Sequence, residues 1–240
     1  TFTIKVGEYS EWIPVKFKAG MGFTARGICR FYLKEISPEV EVYVTPVNID
    51  PSHPDLPISH PVTYSIYLAK LFGPYATLGF AEDTWALNEE VIDDEAFLAQ
   101  CYGNHEDRER MFFDALEKTP QGLCACVFDT TDRVQHMFWR YLDKDHPAAR
   151  DVPQDQKPRV IQDLYDRMDT LVGRVMQQID DQTLLLVISD HGFRSFNRCM
   201  NLNAWLHQNG YLVLKDGKSK SGDWFEDVDW SRTRAYTMGL

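Results

Sequence analysis

A chain of 240 residues, 44% of them hydrophobic, can bury one sizeable core and still leave material for a small second lobe. Its 25 Lys and Arg against 36 Asp and Glu give a net charge of -11. That excludes a nonspecific grip on nucleic acid, which needs a basic face, but not a phosphate substrate, because bound divalent cations reverse the local sign.

Five cysteines form no C-x-x-C pair and no disulfide framework. No apolar run reaches the roughly 18 residues of a membrane helix, and the start carries no signal pattern. The opening "TFTIKV", without an initiator Met, reads as the interior of a longer chain.

In chain order, "TFTIKV", "WIPVKF", "GICRFYLKEI" and "EVEVYVTPV" are short extended segments separated by Gly and Pro, which predicts a small β-rich lobe. The stretch 48–61, with Pro51, Pro54, Pro57 and Pro61, suits neither a helix nor a central strand and reads as a connector. Residues 1–59 are therefore expected to form an accessory lobe with its connector, and residues 60–240 an α/β domain. "TYSIYLAKLF" predicts a helix, and 93–119 a long one with acids in its first turn. "LCACVFD" predicts a short buried strand, with Cys124 and Cys126 sharing a core face. An amphipathic helix over 157–179 follows, then a second buried strand, "TLLLVIS". A helix capped by Asn201 and closed by Gly210 leads to a last strand. Apolar strands without polar alternation, joined by helices, predict a mostly parallel sheet with helices on both faces. Ligands gather at the carboxyl ends of such strands.

Both chemical motifs lie at those predicted ends. In "CVFDTTDRVQHMFW", Asp132 and His136 are four apart, so a helical turn places both on one face. A carboxylate and an imidazole at that spacing suit a zinc-like or manganese-like ion. In "LLLVISDHGF", Asp190 and His191 are neighbours that can converge only where the strand has ended, and Gly192 permits a sharp turn after them. His53, His60, His105, His146 and His207 are expected at the surface or in loops. Arg133 and Arg194 could meet a phosphate oxygen or pair with a nearby acid such as Asp129.

"FDTTDRVQHMFW" followed by "LLLVISDHGF" resembles the alkaline phosphatase superfamily, most closely its type I phosphodiesterase and nucleotide pyrophosphatase branch, over roughly residues 60–240. The resemblance implies an alkaline phosphatase-like α/β fold and two divalent metal ions, zinc or manganese. Asp132 and His136 would hold one ion and Asp190 and His191 the other, with Asp129 and Thr131 standing behind the ligands. It also implies a phosphoric ester hydrolase acting on a phosphate ester or nucleotide-like small molecule.

The family's Thr or Ser nucleophile is expected upstream of Thr1, so the chain alone is expected to be inactive. Thr45, in "VTPVN", is the one weaker internal candidate, lacking a metal-binding Asp at a suitable distance before it. Two alternatives stay open on the sequence. One is a phosphomutase of the same superfamily, resembling cofactor-independent phosphoglycerate mutase. The other is a non-catalytic binding module with structural metal pairs.

Overall fold

The first strands owe their pairing to residues that tolerate close backbone approach. β1 (Ile13–Lys18) runs antiparallel to β2 (Thr24–Cys29), with Ile13 opposite Cys29 and Lys18 opposite Thr24. β2 also pairs antiparallel with the short β5 (Asn48–Ile49), Gly27 lying opposite Ile49. A Cβ on Gly27 would sit 2.4 Å from Val47 Cγ1, so only glycine lets the two strands meet there. β3 (Phe31–Glu35) and β4 (Glu41–Val44) form a separate antiparallel pair with Tyr32 opposite Tyr43. The computed structural model describes residues 3–18, 24–143, 146, 147, 153, 158–195 and 198–238.

The helices expected over 63–72, 93–119 and 157–179 form close to those bounds, and a short one over 84–88 joins them. α1 (Thr63–Phe72) closes at Gly73, whose φ of 89° few other residues adopt. α2 (Thr84–Asn88) and α3 (Asp94–Glu117) start on Asp83 and Asp93, whose carboxylates accept the Ala86 and Ala96 N–H groups at 3.0 and 2.8 Å. α4 (Thr130–Phe138) and α5 (Val160–Met176) complete the set around the main core. Phe97, Cys101 and His105 recur every four residues along α3 and are fully buried. They meet Val134 and Phe138 of α4 or Leu164 of α5 in a core that also takes in Tyr32 and Tyr43, or lie just beyond it. Side-chain bonds tie strand to helix: the Tyr43 hydroxyl donates to Asp83 at 2.7 Å, and Gln100 Nε2 donates to the Tyr9 hydroxyl at 2.6 Å.

The described residues divide into two units, Thr1–Asp190 and His191–Leu240. The second is built on α6 (Leu202–Gln208), whose cap Asn201 accepts the Ala204 N–H at 2.9 Å. Leu206, Leu212, Leu214 and Val228 form its own small core. A single antiparallel bridge, Leu214 opposite Val228, stands where a strand was expected.

The mixed α/β character agrees with the sequence, but the sheets are small and antiparallel. The two runs expected to be buried parallel strands have no ladder partner among the described residues. Leu123 and Val127 are 87% and 77% exposed, and Leu184 and Ile188 are 80% and 87% exposed. Apolar composition records a need for burial without supplying the covering element. For the same reason Cys126 is exposed and Cys124 only half-buried, rather than both lying in a core.

Candidate functional site

Helix α4 sets the geometry of the first motif. Thr130, Val134 and Phe138 point into the core. Asp132 and His136 lie two residues away from that stripe, about 200° around the helix, and so face outward. Their side chains are 27% and 59% exposed, and Asp132 Oδ1 lies 3.3 Å from His136 Nε2. The one-turn spacing therefore brings a carboxylate oxygen and an imidazole nitrogen together. Two donors each about 2.0–2.1 Å from a tetrahedral zinc would themselves be about 3.3 Å apart, so the pair fits such an ion as two of its ligands.

Arg133 fixes the other carboxylate oxygen. Its NH1 donates to Asp132 Oδ2 at 2.6 Å, and its guanidinium carbon lies 4.2 Å from the centre of the Phe80 ring. On the far side, Arg133 Nε is 3.8 Å from Glu82 Oε2, an ion-pair distance but too long for a hydrogen bond. Glu82 is 3% exposed, and its Oε1 accepts from Asn104 Nδ2 at 2.9 Å. A cavity of about 600 Å³ opens beside the pair, with Phe80, Arg133, His136, Met137, Trp139 and His146 among its walls.

The surroundings of Asp129 and the nearby threonines differ from what their positions suggested. Asp129 pairs with Arg108 of α3, not with Arg133, and does not cap α4. The Thr131 hydroxyl donates to the Phe128 carbonyl at 3.1 Å, and Thr130 is buried. Thr45 is also buried, its hydroxyl oxygen accepting the Arg30 N–H at 2.9 Å. That ties down a strand end and leaves no accessible nucleophile there.

Asp190 and His191 follow the run 183–189, exposed except at the half-buried Leu185. His191 Nδ1 is 3.1 Å from the Gly192 carbonyl oxygen, and its ring lies 5.3 Å from that of Phe193. Asp190 ends the first unit and His191 begins the second. Among the described residues no group of three or more Cys, His, Asp and Glu side chains gathers around one point.

His105 does not lie at the surface or in a loop. It is wholly buried against Phe128, with ring centres 5.5 Å apart, and neither ring nitrogen has a hydrogen-bond partner among the described residues. Burial holds its pKa below the usual 6.5, and Arg167 and Arg108 add to the effect. Phe80, Glu82 and Asn104 belonged to no recognisable motif. A lone acid just before a helix cap gives no sequence signal for its role.

The family model for type I phosphodiesterase / nucleotide pyrophosphatase matches residues 30–237, taking in β3 to β5 as well as both motifs. No curated protein and no solved structure matches the chain. With most of its length matched and both motifs inside the match, the chain belongs to the type I phosphodiesterase/nucleotide pyrophosphatase family.

Proposed function

We propose that the chain carries the metal-binding edge of a phosphodiesterase or pyrophosphatase, with Asp132 and His136 holding one divalent ion and Asp190 and His191 a second. Family membership supports hydrolysis of a small-molecule phosphoester. The observation that carries the metal reading is the 3.3 Å approach of Asp132 Oδ1 to His136 Nε2 beside an open cavity. Zinc and manganese both suit a carboxylate and imidazole donor set. When bound, such ions lower the pKa of a nucleophilic hydroxyl and stabilise the leaving oxygen.

In this reading residues 123–128 and 183–189 are parallel strands whose neighbours lie outside the described residues. Their carboxyl ends then carry the two pairs, at the edge where the ligands of such sheets gather. The exposed apolar side chains of both runs support it, since such surface is normally covered. The nucleophile is taken to lie outside the 240 residues, consistent with the engagement of Thr45 and Thr131 and the burial of Thr130. The chain's own residues act as holders. Asp132 and His136 present two donors from one rigid helix turn.

Titration calorimetry with zinc or manganese tests the assignment on the chain and on its His136→Ala, His191→Ala double variant. The wild-type chain should bind weakly, because each ion finds only two of its usual three or four protein ligands, and the variant should bind more weakly still. Equal binding by both would remove these pairs from the site.

A further inference from the structure

The Arg133 guanidinium stands between two carboxylates and is fully engaged with only one. It is hydrogen-bonded to Asp132 at 2.6 Å, while Glu82 Oε2 and Arg133 Nε face each other across 3.8 Å. Both of those atoms are buried, and neither has a hydrogen-bond partner among the described residues. A buried carboxylate oxygen and a buried N–H left unsatisfied are each costly. Here they are aimed at one another and need to close by only about 1 Å to form a charge-assisted bond. The Phe80 ring centre lies 4.2 Å from the guanidinium carbon, a cation–π distance that an approach to Glu82 need not break.

A divalent ion arriving at Asp132 and His136 would change the balance. It would compete with Arg133 for the Asp132 carboxylate and would place two like charges close together in a half-buried site. The released guanidinium would then need another anion, and Glu82, 3% exposed and held at its other oxygen by Asn104, is already in place.

We propose that Glu82 is a positioning residue that takes up the Arg133 charge when a divalent cation claims Asp132. The proposal rests on the reading of Asp132 as a metal ligand. Glu82 itself touches neither ion nor substrate; it acts through Arg133, freeing both Asp132 oxygens.

Zinc titrations of the 240-residue chain and of its Glu82→Gln, Arg133→Gln and doubly substituted forms test the role, with circular dichroism as the check on folding. Glu82→Gln should weaken zinc binding about tenfold, in the range found for residues that support metal ligands. Arg133→Gln should bind at least as tightly as wild type. The double variant should match Arg133→Gln, because no stranded charge remains.

A loss on Glu82→Gln that persists in the Arg133→Gln background would show a merely structural role and overturn the proposal. Unchanged binding by Glu82→Gln alone, with binding lost in Asp132→Ala, would also overturn it while leaving the ligand assignment standing. Binding that survives Asp132→Ala would overturn the ligand assignment and the role of Glu82 together. A readout on the wild-type chain needs no altered residue near the core. The Arg133 Nε–H resonance should move downfield on adding zinc as its bond to Glu82 forms, and a resonance that stays in place would overturn the proposal.

Discussion

Replacing Phe138 by Ala asks whether the helix that presents Asp132 and His136 is held by its buried face. Phe138 is fully buried, and its ring lies 6.1 Å from those of both Phe97 and Tyr141, with the Arg140 guanidinium 5.3 Å above it. Truncating such a side chain removes its transfer free energy and leaves a cavity, together about 3–5 kcal/mol, in which each lost aromatic pair accounts for about 0.5–1.5 kcal/mol. Against a typical total of about 5–15 kcal/mol the loss is large. At about 2–4 °C per kcal/mol for a chain of this size, the melting temperature should fall by roughly 6–20 °C. Phe138→Leu, which keeps most of the buried carbon, should cost about 1–2 kcal/mol. Trp85→Ala, at a position 74% exposed, should change stability by about 0.5 kcal/mol or less. Urea unfolding followed by circular dichroism measures all three, with an unchanged slope marking a change in stability alone. A cost below about 1 kcal/mol for Phe138→Ala would refute the claim that α4 is anchored there.

Two other substitutions test separate parts of the structure. His105 has a folded-state pKa below its unfolded value of 6.5, so the unfolded chain binds the extra proton first and stability should decline as pH falls below about 6.5. His105→Leu should flatten that limb of the stability profile, and an unchanged profile would show that other groups set it. Ile188→Lys, at a position 87% exposed, should leave the unfolding midpoint nearly unchanged and reduce light scattering by removing apolar surface. A loss above about 2 kcal/mol would show that residues 183–189 are covered in solution.

What could be read from the sequence follows the range of the interactions involved. Asp93 and Asn201 announce their helices because a cap needs only a side chain and an N–H three residues on, and both bonds form at 2.8 and 2.9 Å. The Asp132 and His136 contact is equally local, set by one helical turn. The burial of His105 is masked in the sequence because its neighbours in "GNHEDRER" are mostly charged. The helical period from Phe97 through Cys101 to His105, all buried, outranks the polarity of adjacent residues.

The remainder depended on contacts between distant segments. Glu82 gains its meaning only when Asn104 and Arg133 are brought to its two oxygens, and no spacing in the sequence encodes that meeting. The runs 123–128 and 183–189 mark the opposite limit. Their composition states a demand for burial, whereas a parallel strand is satisfied only by neighbours on both sides. This difference separates the two motifs. The first carries its geometry within a helix and presents two converging donors whatever covers the run before it. The second follows a run with no ladder partner among the described residues, so no helical turn sets the direction of Asp190 and His191. Metal binding should therefore be retained more fully at Asp132 and His136 than at Asp190 and His191 in the isolated chain. Calorimetry on the single variants His136→Ala and His191→Ala would show the order directly, and a greater loss with His191→Ala than with His136→Ala would reverse it.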